Sequence, residues 1–165
     1  MSITIQRVVE TTPEVQHLIG ELNEVLGAAY EAHQRHGLSI EQLFEPNVRF
    51  FIARLDGLAV GCGGVAMFED YAEVKRMYTR PAARGRGVAK AIVGRIEDEA
   101  RAAGKFVLRL ETGTLQREAI GLYKRMGFQP RGPFGPYASM PIRNIETSLF
   151  FEKVLCSQPQ DQITR

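Results

Sequence analysis

The sequence predicts an α/β (α+β) fold in which helices pack on a mixed sheet. Three observations carry that prediction. Hydrophobic periodicity switches along the chain in the order β-α-α-β-β-β-α-β-α-β-β, giving seven strands and four helices. Two stretches pass directly from a strand into a helix, 79 into 87 and 111 into 115, and such crossovers make neighbouring strands locally parallel. Between residues 48 and 68, two β-rich runs flank Asp56-Gly57, the signature of a tight hairpin. In sheets of this kind ligands sit at the carboxyl ends of the strands.

Residues 2–9 alternate, Ile3, Ile5, Arg7 and Val9 against Thr4, Gln6 and Val8, and open the fold as a strand. Thr11-Thr12-Pro13-Glu14 starts a helix with a threonine cap, a proline at the first helical position and then an acid. Val15, Leu18, Ile19, Leu22, Val25, Leu26 and Ala29 keep helical spacing. That helix is expected to run to about His36, where Gly37 stops it. Residues 39–43 read as a short capped helix ending near Pro46. The hairpin strands follow at 48–55 and 59–68, and Gly61, Gly63 and Gly64 mark a bulge or a close backbone approach. Residues 72–79 form a strand that Pro81 ends, and 87–103 a helix stopped by Gly104. A strand at 106–111, a helix at 115–126 stopped by Gly127 and a strand opening at 128–129 come next. Four prolines, at 130, 133, 136 and 141, make 130–141 a loop, and 147–155 is the closing strand. Residues 1–155 therefore form one domain, and the polar tail at 156–165 is expected to fray.

Composition narrows the function classes. A chain of 165 residues with 44% hydrophobic and 24% charged side chains buries a single core and does not read as disordered or fibrous. No apolar run is long enough for a membrane-spanning helix, and Met1–Arg7 does not read as a signal peptide. Cys62 and Cys156 stand far apart without a CxxC, which argues against a disulfide framework or structural zinc and for a reducing cytoplasm. They read as small core residues, and no histidine is placed to activate Cys62. A net charge of +2 argues against a general nucleic-acid binder. The charge is nevertheless segregated: residues 1–73 carry 4 basic and 11 acidic side chains. Residues 74–96 carry Lys75, Arg76, Arg80, Arg84, Arg86, Lys90 and Arg95 and no acid. Such a stretch either forms a solvated face or meets a compact polyanion.

Glycines inside that stretch favour the polyanion. Arg84-Gly85-Arg86-Gly87-Val88-Ala89 joins the strand at 72–79 to the helix at 87–103. A helix start carries unsatisfied N–H groups and partial positive charge, and glycines let backbone approach a phosphate closely. A dinucleotide fingerprint would need glycine where Lys90 stands, and the Gly-Lys-Ser/Thr of a P-loop is missing.

The pattern that fits is Arg/Gln-x-x-Gly-x-Gly/Ala, met by Arg84, Gly87 and Ala89. Here the chain resembles the GNAT superfamily of N-acetyltransferases, whose pyrophosphate loop for acetyl-coenzyme A has this form. Further stretches are similar in order and spacing: Glu73 to Thr79 as the strand before the loop, and Arg80-Pro81-Ala82-Ala83-Arg84-Gly85 as its lead-in. Glu118-Ala119-Ile120-Gly121-Leu122-Tyr123-Lys124-Arg125-Met126-Gly127-Phe128 resembles the A-x-x-L-Y-x-x-x-G-F helix, and Leu149 to Lys153 the closing strand. Residues 108–113 and 133–137 resemble a bacterial subgroup of small acetyltransferases.

The resemblance implies a mostly antiparallel sheet whose parallel strands splay at the cofactor site. It implies acetyl-CoA as cosubstrate without a metal, and an amine attacking the thioester directly in a ternary complex. Tyr123 is the implied acid toward the leaving thiolate. Glu73 is the candidate base, with Glu111 its rival at the end of the next strand; Glu73, Lys75, Met77 and Thr79 are expected to share one strand face. Met77, Tyr78 and Thr79 are implied to pair by backbone with the pantetheine arm. Arg84, Gly85, Arg86, Gly87, Val88 and Ala89 are implied to hold the pyrophosphate, with Arg80, Arg86 or Lys90 adding charge. Gln116 departs from the asparagine usual in the superfamily, a longer amide at the coenzyme contact. His33 and His36 fall where the superfamily builds its acceptor pocket, and Tyr137 and Ser139 are candidates to wall it. The expected acceptor is a primary amine of a small or amino-acid-like molecule, with a protein amine as the alternative, no nucleic acid or membrane partner, and a homodimer compatible with the superfamily. A coenzyme-binding sensor without turnover is the rival from another class.

Overall fold

The computed structural model describes residues 1–156; the expected fraying of the tail concerns residues outside this range, Cys156 apart. The elements are β1 (Ile3–Val8), α1 (Pro13–Ala29), β2 (Val48–Leu55), β3 (Leu58–Met67), β4 (Ala72–Thr79), α2 (Val88–Ala102), β5 (Val107–Gly113), α3 (Arg117–Arg125), β6 (Gln129–Arg131), α4 (Ile142–Ile145) and β7 (Ser148–Val154). One seven-stranded sheet runs in the order β1-β2-β3-β4-β5-β7-β6, and β4–β5 is its parallel pair. The mixed, mostly antiparallel α/β architecture is therefore the observed one.

Both faces of the sheet are covered, and β2 shows how alternation divides the core. Phe50 and Ile52 point to α1, where they meet Val15, Leu18, Ile19 and Leu22. Phe51 and Ala53 point the other way, to Val88, Ile92, Val93 and Ile96 of α2 and Tyr123 of α3. Thr12 caps α1, its hydroxyl accepting from Val15 N–H at 3.2 Å, with Pro13 at the first position as expected.

The first helix is shorter than the sequence suggests. It ends at Ala29 because Tyr30 turns extended, φ −135° and ψ 148°, and buries its ring. Its hydroxyl accepts from Leu115 N–H at 2.9 Å and donates to Gln116 Oε1 at 3.2 Å. This long-range anchor outcompetes continued helix, and residues 30–37 become a loop with one 3-10 turn at Ala32–Gln34. The helix expected at 39–43 is likewise a single 3-10 turn, Gln42–Phe44. The proline-rich loop at 130–141 takes in the end of β6 and a 3-10 turn at Gly135–Ser139, and α4 follows it unanticipated.

Two irregularities of β4 build the site. It pairs with β5 only through Ala72↔Leu108, Glu73↔Arg109 and Val74↔Leu110, after which the strands part. On its other edge Cys62 opposes Tyr78 while Gly64 opposes Lys75, so Arg76 and Met77 together face Gly63. Arg76 absorbs the extra residue at φ 57°. Gly63 has no room for a side chain, because a Cβ would run into Met77 Sδ and Ile92. This bulge corrects the expected face. Met77 packs with Ala72 and Val74 on the α2 side, whereas Tyr78 joins the α1 side. Strict alternation fails wherever one strand holds an extra residue.

Candidate active site

The gap between the parted strands is a cleft. Its walls come from β4 (Glu73 to Met77), β5 (Leu110 to Gly113), α1 (Leu22, Leu26), the 30–37 loop and α3 (Ala119, Tyr123). Glu73 and Tyr123 are among the most buried functional groups in it, at 3% and 4% exposure. Glu73 Oε2 accepts from the Tyr137 hydroxyl at 2.7 Å and from Lys75 Nζ at 3.2 Å. Lys75 Nζ also donates to the Tyr137 oxygen and to the His36 carbonyl, each at 3.1 Å. The proline-rich loop thus brings a phenol to a carboxylate 64 residues away. Burial, reinforced by the Glu73 charge, pushes the Tyr137 pKa far up, so the phenol remains a donor. The Tyr137 ring is held by Phe134, Phe150 and an edge-on His36 at 5.5 Å.

Glu111 stands across the cleft and accepts from the Ser148 hydroxyl at 2.7 Å. Burial raises its pKa more than that bond, His36 and Lys75 lower it. Burial and then the charge of Glu111 raise the Tyr123 pKa too, so the phenol stays protonated at neutral pH. The Tyr123 ring rests edge-on against Phe128 at 5.5 Å, fixing its place on α3. His36 donates from Nε2 to the Asn144 carbonyl at 2.7 Å, so its ring is held at the cleft wall.

β4 leads straight into the glycine turn. Arg80 caps a 3-10 turn at Pro81–Ala83, and Gly85 (φ 78°) and Gly87 (φ 82°) take left-handed conformations before α2 begins. Gly87 sits at the N-cap without a side chain, so no side-chain oxygen satisfies the first N–H groups of α2. Arg86 and Lys90 are exposed and have no carboxylate within 4 Å among the described residues. Arg80 differs from expectation. It is tied to Glu21 at 2.9 Å and to the Ala59 carbonyl, which removes it from the free charges of the turn.

The sequence profile of the Acetyltransferase (GNAT) family matches residues 16–128, most of the chain and both walls of the cleft. The chain belongs to the GNAT acetyltransferase family. It is an acyltransferase. A relative from Azospirillum brasilense named IAA acetyltransferase is 46% identical over 156 residues, 93% of this chain and 99% of its own. A solved structure from Klebsiella pneumoniae, assigned as an acyl-CoA N-acyltransferase, has a TM-score of 0.78 at 34% identity, covering 93% of this chain and 98% of that one. The PaiA N-acetyltransferase of Thermoplasma acidophilum, solved with coenzyme A, has a TM-score of 0.68 at 18% identity, covering 93% and 99%, a likeness of fold.

Within this GNAT cleft stand Glu73, Met77, Gln116 and Tyr123 of the sequence-derived set, together with the rival Glu111. Tyr78 lies outside it, its side chain in the α1 core and its hydroxyl donating to Glu21, and Thr79 closes β4. The turn from Arg84 to Ala89 continues from that end of β4. Gln116 is held by the Tyr30 hydroxyl. His33 is exposed beside Glu31, and Ser139 turns back to the Pro136 carbonyl, so neither lines the cleft. Burial pushes the Cys62 thiol up to about 12, which denies it thiolate character. Sequence reasoning missed Tyr30 and the position of Arg76. No local pattern marks either: the expected helix runs through Tyr30 to about His36, and the bulge at Arg76 shows only in the pairing with β3. Among the described residues no group of three or more His, Cys, Asp or Glu can hold a metal, and no helix is long and apolar enough to cross a membrane.

Proposed function

We propose that this acetyltransferase moves an acetyl group from acetyl-CoA to the primary amine of a small, amino-acid-like molecule by direct attack in a ternary complex. The observation that carries the reading is the splay: β4 and β5 part after three paired positions, and acid and base candidates stand on the walls so opened. The residues fit acetyl-CoA. The β5-facing edge of residues 75–79 has no strand partner, which suits an extended amide-bearing arm added as a strand. The uncapped start of α2 after Gly85 and Gly87 suits a pyrophosphate. Met77, Tyr78 and Thr79 would meet the pantetheine arm, Arg84 to Ala89 the pyrophosphate, and Gln116 the coenzyme.

The protein must overcome an amine that is mostly protonated. A lysine-like amine is neutral in roughly one molecule in 2,500 at pH 7. Glu73 takes the amine proton; its Oε2 is engaged by Tyr137 and Lys75, while Oε1 has no hydrogen-bond partner among the described residues. Tyr123 donates to the sulfur as it leaves, a role open only to a protonated phenol. Tyr137 and Lys75 orient Glu73. Glu111 is the second reading for the base, favoured by its burial, which raises its proton affinity, and by the lack of any ion pair to it within 4 Å among the described residues.

Thermal unfolding with acetyl-CoA, free coenzyme A, NAD and ATP tests the proposal. Ligand at about 100 times its dissociation constant adds about 2.7 kcal/mol, on the order of 5–10 °C for a domain of this size. A rise with acetyl-CoA and none with NAD is expected, and a flat response at millimolar acetyl-CoA would sink the reading. Thiol release that depends on an added amine separates an enzyme from a coenzyme-binding sensor.

A further inference from the structure

Two cations that line the cleft, Arg35 and Arg76, have no carboxylate within 4 Å among the described residues, and of the two Arg76 is the partly buried one. Lys75 is fully engaged, its ammonium donating to the Glu73 carboxylate, the Tyr137 oxygen and the His36 carbonyl. Arg76, its neighbour on β4, is different. Its guanidinium carries five N–H donors, and one side-chain bond is made, from Nη2 to Asn23 Oδ1 of α1. Its Nε is buried without any partner. No carboxylate lies within 4 Å of it among the described residues. The bulge that sets Arg76 at φ 57° turns this side chain toward α1 and the 30–37 loop, where Gly37 makes room for it: a Cβ there would run into the guanidinium. A conformation that disfavours L side chains is spent on directing an arginine into a partly buried place without a counter-ion. Burial also pulls the Arg76 pKa down, the sign of a charge that lacks compensation. Leu22, Leu26 and Leu110 give the same cleft an apolar wall beside the polar Gln34, Arg35 and His36 of the 30–37 loop, and the carboxylates Glu73 and Glu111 also line it.

We infer that Arg76 is an anion subsite reading a carboxylate on the acceptor, so that the acceptor is an apolar amino acid whose amine meets Glu73 or Glu111 while its carboxylate meets the guanidinium. The inference rests on the proposed amine transfer for the role of the amine, but the subsite itself is independent of turnover. A guanidinium fork suits carboxylate geometry, and a desolvated one gains most from it.

Two measurements keep the inferences separate. The first is binding without chemistry: 3-phenylpropanoate against neutral 3-phenylpropanol, by thermal shift on the wild type, Arg76→Gln and Asn23→Asp. The second substitution leaves Arg76 in place and offers it a competing carboxylate on the exposed side of α1. The carboxylate should bind at least about tenfold tighter than the alcohol to the wild type, and the ratio should fall to within about twofold of unity in both variants. Using a ratio within each protein cancels any loss of folded material. A wild-type ratio under about threefold, or one that survives both substitutions, overturns the subsite. The second measurement is thiol release with L-phenylalanine against 2-phenylethylamine. Preference for phenylalanine in the wild type and not in Arg76→Gln supports the acceptor class, and preference for the plain amine overturns it. No release with either amine sinks these acceptors and the acceptor class with them, while the binding ratio still decides the subsite.

Discussion

Tyr123 can serve a leaving thiolate only while it carries its proton, and its surroundings secure that state. Burial raises its pKa and the nearby Glu111 charge adds to the effect, so the phenol is neutral across the working pH range. Tyr123→Phe keeps the ring against Phe128 and removes only the donor. The expected outcome is a fall in kcat of at least about tenfold with affinity for acetyl-CoA within twofold of wild type, read by thiol release and calorimetry. An unchanged kcat would remove Tyr123 from the chemistry. The base is assigned by pH profile, because the acid limb of kcat/KM reports the free enzyme's essential base. Glu73→Gln should abolish that limb and Glu111→Gln should retain it; the opposite result gives the role to Glu111. Single residues were unequally legible. Tyr123 announces itself through Leu122-Tyr123 and Gly127-Phe128 spaced on one helix, and Glu73 through the strand that feeds the glycine turn. The Tyr137–Glu73 bond was not legible as such, because nothing local ties residues 64 positions apart. The same holds for Tyr30, whose partners lie 85 and 86 residues away.

Elements whose ends are set by their own chemistry were read correctly, and elements ended by distant partners were not. Thr12 and Pro13 start α1 where the sequence places them, since cap and proline act within one turn. Its end is set by Tyr30 reaching Leu115 and Gln116, just ahead of α3, so the helix stops before Gly37, the local stop signal. β4 misled in a different way. Its residues alternate in sequence, yet an extra residue opposite Gly63 moves Met77 to the other face, and only pairing with β3 reveals that. The turn between β4 and α2 was legible because its requirement is local: two left-handed positions filled by Gly85 and Gly87. Gly87 is the sharper test. Nothing lies within 4 Å of a Cβ built there, so a substitution acts through backbone strain rather than collision. Gly87→Val should cost about 1–2 kcal/mol and reorient the first N–H groups of α2. Coenzyme A affinity, measured by calorimetry, should weaken at least about tenfold, a larger effect than on stability alone. Unaltered affinity in a folded Gly87→Val protein would show that this turn does not hold the pyrophosphate.

Ion pairs join the layers of the whole molecule. Glu14 binds Arg54 and ties α1 to β2, Glu21 binds Arg80 and ties α1 to the turn after β4, and Glu152 binds Arg109 and Arg131 and ties β7 to β5 and β6. Hydrogen bonds from these arginines lower each carboxyl pKa below its ordinary value of 4.5. A carboxylate with a lowered folded pKa contributes stability above 4.5 that is lost as pH falls through the folded value. Each pair is at least partly exposed, so each contributes modestly. Glu111 has the opposite sign. Burial raises its pKa, so its contribution is fully present below 4.5 and is lost as pH rises through the folded value. Between neutral pH and 4.5, acidification relieves the buried Glu111 charge while the three arginine-bound carboxylates remain ionised. The melting temperature should therefore pass through a maximum in the mildly acidic range, rising from pH 8 and falling below about 4.5. Glu111→Gln should flatten the rise and leave the acid fall in place, because its amide carries no charge to relieve and the layer-joining pairs are untouched. Calorimetric scans of both proteins from pH 3.5 to 8 check this: a wild type that loses stability steadily from neutral pH downward would mean the site carboxylate is already compensated, and an unchanged rise in Glu111→Gln would move its origin elsewhere in the cleft.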